Sequence, residues 1–192
     1  MKNALICSAL CAALASGAAH ADNHGTAGSN GLTTNDLVAN GYAEARLGFA
    51  DMDLSDDAIV VAGTFGTSLD QIVPGLGAEA ELTLTAADAE QSYSDGFGNS
   101  YKLEASYFGL GGYATYTLNL DGQAKGLELL GRAGLVYVDA EVDTAFGSGS
   151  SSDIELGVGI GARYNLQNNL AIVGRFDTYD IDVLSIGATY RF

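Results

Sequence analysis

From residue 41 to residue 192 apolar and polar side chains alternate with a period of two. That is the spacing of a strand whose two faces meet different surroundings. The alternation comes in segments of roughly ten residues, the length a tilted strand needs to cross a bilayer. Eight such strands are predicted, over residues 42–50, 59–69, 78–87, 108–118, 127–138, 154–166, 170–178 and 183–192. In the sixth, Leu156, Val158, Ile160, Ala162 and Tyr164 share one face, and Glu155, Gly157, Gly159, Gly161 and Arg163 the other. In the last, Leu184, Ile186, Ala188, Tyr190 and Phe192 oppose Val183, Ser185, Gly187, Thr189 and Arg191. In the third, Leu82 and Leu84 oppose Glu79, Glu81, Thr83 and Thr85.

A soluble β-sandwich alternates as well, so the content of each face decides the assignment. The polar faces carry Gly and single charges, which suit a narrow barrel bore. The apolar faces carry Leu, Ile, Phe and Tyr, which suit lipid. Tyr116, Tyr164, Tyr190 and Phe192 fall at segment ends, where an aromatic girdle meets lipid headgroups. In hydrocarbon every backbone N–H and C=O needs a partner, so a sheet that spans a membrane must close on itself. The expected fold is therefore all-β: an eight-stranded, antiparallel, up-and-down transmembrane β-barrel. Connections rich in turn residues at 74–77, 121–126 and 167–169 alternate with more acidic ones at 51–57, 88–102 and 139–153 and a very short one at 179–182. This alternation predicts periplasmic turns at one end, outer loops at the other, and both barrel termini in the periplasm.

The N-terminus reads as an export signal over residues 1–21. Met1-Lys2-Asn3 is positively charged, residues 4–15 are apolar, and Ala19-His20-Ala21 fits the small-x-small cleavage rule. A membrane anchor is the alternative, but its apolar core is short for a span. Cys7 and Cys11 both lie inside this signal, preceded by Ile6 and Leu10 rather than the small residue that lipoprotein processing prefers. The mature chain then contains no cysteine, hence no disulfide and no thiolate site. Residues 22–40, rich in Gly, Thr, Asn and Ser, read as a flexible periplasmic leader, with a short helix over 34–39 capped by Thr34 or Asn35 as its candidate element. Residues 41–192 form the barrel.

Composition narrows the function. The chain has 26 Gly, 1 Pro and no Trp, and its formal charge is −16. All 24 acidic residues but only 7 of the 8 basic ones follow residue 21, which leaves 7 − 24 = −17 on the mature part. Such a surface repels phosphates and excludes nucleic acid as a partner, while it attracts cations. Parity places Glu44, Arg46, Glu79, Glu81, Glu128, Arg132, Glu155, Arg163, Arg175 and Asp177 inside the bore. Planar Arg forks suit paired carboxylates in a low-dielectric space. Three roles stand open for the set: a structural ion-pair network that plugs the lumen, a narrow ion path, or a proton-transfer site. Asp51, Asp53, Asp56, Asp57, Asp88, Glu90, Asp95, Asp139, Glu141, Asp143 and Asp153 line the other connections. They read either as a solvated rim or as sites where divalent cations bridge to anionic surface lipid. The run 51–57 lacks the central Gly and closing Glu of a calcium loop.

Catalytic groups are scarce. His24 is the one histidine outside the signal, so a Ser–His pair in the barrel is not expected, nor is a His/Cys metal cluster. Ser148 to Ser152 reads as a Gly/Ser loop that tethers strands. Gly157-Val-Gly-Ile-Gly reads as a strand repeat, since no helix follows it as in a phosphate loop.

These features together resemble the small OmpA-like outer-membrane β-barrel family, the opacity-protein or porin-like group. The resemblance covers roughly residues 41–192. It is carried by Gly41-Tyr-Ala-Glu-Ala-Arg-Leu-Gly-Phe, Leu129-Leu-Gly-Arg-Ala-Gly-Leu-Val-Tyr, Gly157-Val-Gly-Ile-Gly-Ala-Arg-Tyr-Asn-Leu and the ending Ser185-Ile-Gly-Ala-Thr-Tyr-Arg-Phe. It implies a Gram-negative outer membrane, with outer-membrane lipid and lipopolysaccharide as surroundings. It also implies that Tyr190 and Phe192 form the signal read by the barrel-assembly machinery. Full-length OmpA also carries a peptidoglycan-binding domain, to which the resemblance over residues 41–192 does not extend, so wall anchoring is not implied. The expected role is a monomeric, non-enzymatic structural or surface-interaction barrel with no cofactor and a plugged lumen. A small-solute or ion channel is the alternative, followed by a lipid-modifying enzyme.

Overall fold

The computed structural model describes residues 39–52, 54–94, 100–120, 122, 124–144, 147–167 and 169–192. The expected signal, the leader up to residue 38 and most of the 34–39 helix lie outside the described residues. Nine strands follow in chain order: β1 (Gly41–Asp51), β2 (Ala58–Ser68), β3 (Leu76–Ala87), β4 (Ala89–Ser94), β5 (Ser100–Asn119), β6 (Leu127–Thr144), β7 (Gly147–Asn165), β8 (Leu170–Thr178) and β9 (Asp182–Arg191). Neighbours pair antiparallel in the order β3-β2-β1-β9-β8-β7-β6-β5-β4, and a further β3–β5 pairing closes the ring. β4 continues β3 after a break at Asp88 and also pairs with β5, so the nine strands make eight staves. The chain is a closed eight-stranded antiparallel barrel, as its alternation predicts.

Both barrel termini lie at one end, here called the terminal end. Tight turns between β2 and β3, β5 and β6, and β7 and β8 sit there too. Gly75 and Gly126 take positive φ values of 83° and 81° in the first two, a backbone conformation that other residues adopt only under strain. At the opposite, distal end the wall is uneven. β5, β6 and β7 run to 20, 18 and 19 residues, whereas β8 has 9 and β9 has 10. Half of the wall therefore continues past the rim as a four-stranded ribbon, β4-β5-β6-β7.

This ribbon corrects the expected loops at 88–102 and 139–153. Ala89 to Ser94 pairs with Ala105 to Ser100, and Asp139 to Thr144 pairs with Ser152 to Gly147. Ser148 to Ser152 is therefore paired strand rather than a tethering loop. Ser, Gly and Asp are poor strand formers taken alone. Here the register is already set within the barrel, and the backbone ladder extends from it without needing apolar side chains.

The barrel is inverted relative to a soluble protein. Ile154, Leu156 and Ile160 along one β7 row are 63%, 68% and 69% exposed. Leu184 and Ile186 on β9 are equally bare. From Ile154 to Tyr164 is ten residue steps, about 33 Å of strand, which a tilt of about 40° reduces to the roughly 25 Å of a lipid-facing band. Tyr116, Tyr164, Tyr190 and Phe192, with Phe65, ring the band at the terminal end, where Phe65 stacks on Phe192 at 6.2 Å.

Candidate functional site

The bore is filled by charge. All five arginines of the chain, Arg46, Arg132, Arg163, Arg175 and Arg191, reach into it. Five carboxylates meet them: Glu44, Glu79, Glu81, Glu128 and Asp177. The inner network is balanced, so the chain's negative excess lies elsewhere.

Arg132 is at the centre. Its Nε donates to Asp177 Oδ1 at 2.6 Å, while Nη1 and Nη2 donate to Glu81 Oε2 and Oε1 at 2.6 and 3.0 Å. Its guanidinium carbon also sits 4.0 Å from the centre of the Tyr113 ring, a cation–π contact. Arg46 joins Glu81, Asp177 at 3.2 Å, and the Ser185 hydroxyl at 2.8 Å. Arg175 grips Glu79 with both terminal nitrogens at 2.7 and 2.8 Å, and Tyr42 donates its hydroxyl to the same Glu79. Glu44 Oε1 lies 2.9 Å from Nε of both Arg46 and Arg175, close enough for the charges to attract although the angle is poor for a hydrogen bond. Nearer the terminal end, Arg163 spans Glu128 and Glu44 at 3.3 and 3.4 Å, and Arg191 binds both oxygens of Glu128.

Nine of the ten sequence-predicted lumen residues are thus buried and joined. The exception is Glu155. It shares the inward parity of Gly157 and Gly159, but it is only half-buried, and none of the ion pairs among the described residues reaches it. Parity assigns a face without a depth: Glu155 stands toward the rim, past the last arginine layer. Arg191 is the reverse case. Its inward parity is legible, but its pairing with Glu128 requires knowing that β9 and β6 face each other across the bore.

The alternating glycines of β7 explain how so many long side chains fit. A Cβ on Gly159 would lie 1.9 Å from Asp177 Oδ1, one on Gly161 3.0 Å from Arg175 Cγ, and one on Gly157 3.1 Å from the Tyr113 ring. Each glycine leaves the space that an inward side chain from a neighbouring or facing stave fills. Gly157-Val-Gly-Ile-Gly is therefore a strand repeat with a packing purpose.

Toward the distal end the filling becomes apolar. Ala50, Ala58, Val60, Val136, Val138 and Val183 point inward, and Met52 and Leu54 fold over them from the β1–β2 connection. Tyr179 and Ile181 close the same space from the β8–β9 turn, where the Tyr179 and Tyr107 hydroxyls lie 3.0 Å apart. Burial pushes the Tyr179 phenol above the ordinary tyrosine range, so it stays neutral in this cap. This layer was hidden in the sequence because an inward Val carries no polar signature. At the terminal end a half-open cavity of about 380 Å³ enters the bore beside Tyr42, Thr115 and Arg191 and has Arg163 and Glu128 in its lining.

Among the described residues no group of three or more His, Cys, Asp or Glu is arranged to hold a metal ion. The residues of 51–57 that the structure describes turn Met52 and Leu54 inward rather than gathering carboxylates.

Comparison with known proteins agrees with this architecture. The family described as "Outer membrane protein beta-barrel domain" matches residues 7–192. Among curated proteins no sequence matches the chain. Among solved structures, Neisserial surface protein A is 17% identical with a TM-score of 0.55, over 79% of this chain and 96% of its own. The N-terminal β-barrel domain of Pseudomonas aeruginosa OprF is 14% identical with a TM-score of 0.54, over 79% and 97%. A major outer membrane protein from Thermus thermophilus is 18% identical with a TM-score of 0.56, over 79% and 98%. At these identities the likeness concerns the fold.

Proposed function

The chain belongs to the outer-membrane β-barrel family, and on that premise we propose that it is a non-enzymatic barrel that acts through its outer surface, its lumen being closed by its own side chains. The observation that carries the reading is the double filling of the bore: a balanced network of five arginines and five carboxylates, then an apolar cap of Val60, Val136, Val183, Met52, Leu54 and Tyr179. A hydrated ion crossing such a bore has to break several buried ion pairs and then enter an apolar layer. Each step costs several kcal/mol as a rough figure. The terminal cavity supports the same reading, since Glu128, Arg163 and Arg191 of the network are in its lining.

We assign the terminal end to the periplasm and the distal ribbon to the outside, because tight turns cluster at the terminal end with both barrel termini. The bare Leu and Ile rows then face outer-membrane lipid, and the acidic ribbon stands among lipopolysaccharide headgroups. Export by the 1–21 signal, assembly through Tyr190 and Phe192, a monomeric state and the lack of a cofactor belong to the same proposal. Conductance of the refolded barrel in a planar bilayer tests it. The expected record is silent; reproducible single-channel steps would establish the channel alternative instead.

A further inference from the structure

Above the rim β7 has a partner on one side only. Its pairing with β8 stops at Val158↔Thr178, whereas its pairing with β6 runs on to Gly147↔Thr144. The seven residues from Gly147 to Asp153, beyond the lipid-facing band, thus present a free edge in water, about 23 Å long at ~3.3 Å per residue. The backbone shows which groups are open. Lower in β7's course the Leu166 N–H meets Leu170 O at 2.9 Å on the β8 side. The Ile154 N–H points the same way but has no strand to meet, and turns back to its neighbour Asp153 Oδ1 at 2.7 Å. Main-chain groups alternate sides along an antiparallel strand. The N–H and C=O groups of Ser148, Ser150 and Ser152 therefore open onto this side as well.

Free edges are normally guarded by Lys, Pro, a bulge, brevity or a covering segment. The ribbon's other edge, β4, has only 6 residues and is guarded by the Lys102–Glu90 pair. The β7 edge begins Gly147-Ser-Gly-Ser-Ser-Ser-Asp, with no Lys, no Pro and side chains too small to block an approaching strand. What surrounds it is negative charge: Asp139, Glu141 and Asp143 on β6, Asp153 and Glu155 on β7, with no basic residue on either strand above the rim. Two copies of this edge would bring like charges together, so pairing of the protein with itself is disfavoured.

We propose that the free β7 edge docks an extended, Lys- and Arg-rich segment of another protein, which adds a strand beside residues 147–153. Main-chain hydrogen bonds supply the contact and the acidic side chains select the partner's charge. The inference rests on the surface-interaction reading above.

The test uses the mature barrel in lipid nanodiscs and a ten-residue peptide alternating Lys with Val or Thr. The same peptide with Glu in place of Lys is the control. The basic peptide is expected to bind and to slow amide exchange at Ser148, Ser150 and Ser152, and added salt should weaken it. Ser150→Pro removes one outward N–H and leaves the β6 side intact, so it should weaken binding by about tenfold. Equal binding of the Glu peptide, binding without slowed exchange at the three serines, or no binding at millimolar peptide would overturn the proposal. So would slowed exchange without peptide accompanied by a doubled mass, which would make the partner a second copy. A barrel that conducts ions yet takes the basic peptide on this edge would end the closed-lumen reading and leave this inference standing.

Discussion

Replacing Arg132 with alanine removes the lumen cation that donates the most hydrogen bonds to carboxylates. The wild-type side chain is 2% exposed and holds Asp177 at 2.6 Å, Glu81 at 2.6 and 3.0 Å and Glu79 at 3.3 Å. After truncation Glu79 keeps Arg175, and Glu81 and Asp177 both fall to Arg46. Five buried carboxylates then face four guanidinium groups. Breaking a buried pair from one side typically costs about 3–5 kcal/mol, because the surviving charge stays desolvated. Loss of the Tyr113 contact adds about 0.5–2 kcal/mol. The surviving Arg46 contacts offset part of this, so about 3–5 kcal/mol is the expected total. The chain has no Trp, so unfolding is best followed by far-ultraviolet circular dichroism in lipid vesicles across a urea series. A companion change, Asp177→Asn, restores the balance at four against four. The double variant should therefore be more stable than Arg132→Ala alone, with a coupling of about 1–3 kcal/mol. An unchanged midpoint in Arg132→Ala, or a double variant worse than the sum of its parts, would refute the idea that charge balance holds this bore together.

Three further substitutions separate inside from outside and test a turn. Gly159→Val should destabilise by about 1–3 kcal/mol, since its Cβ collides with the Asp177 carboxylate that Arg132 holds. Gly131→Val, whose Cβ meets nothing within 4 Å, should be neutral or mildly stabilising in the same urea assay. In the β2–β3 turn, the Ser68 hydroxyl and then the Gly75 N–H hold the Asp70 carboxyl below its ordinary value. The group's contribution is complete above the ordinary carboxylate pKa and fades as pH falls through the lower folded value. Asp70→Asn should abolish that acid-side slope, and a carbon-13 titration of Asp70 with an unshifted midpoint would contradict it.

What the sequence revealed, and what it concealed, divides along physical lines. Strand parity is a local property, so the outward Leu156–Ile160 row and the inward Arg132, Arg163 and Arg175 were legible from alternation alone. Depth along the bore is not local. Glu155 has the right parity and the wrong height, and the cap of Val60, Val136 and Met52 looks in sequence like any other apolar stretch. The ribbon was concealed for a different reason. Asp139 to Thr144 and Gly147 to Ser152 carry loop-like side chains, yet their pairing is a backbone property inherited from the register below. Pairings across the bore, such as Arg191 with Glu128, join residues 63 positions apart and depend on closure itself.

The central claim is that the apolar rows touch lipid while valines and charges fill the bore, and a hydrocarbon-borne photolabel tests it without altering the chain. A diazirine on a lipid acyl chain, activated in vesicles holding the wild-type barrel, should leave adducts on Leu156, Ile160, Leu184 and Ile186. It should leave none on Val60, Val173 and Val183, which are 1%, 0% and 4% exposed. Adducts on those three valines, with Leu184 and Ile186 unmarked, would turn the barrel inside out and contradict the account.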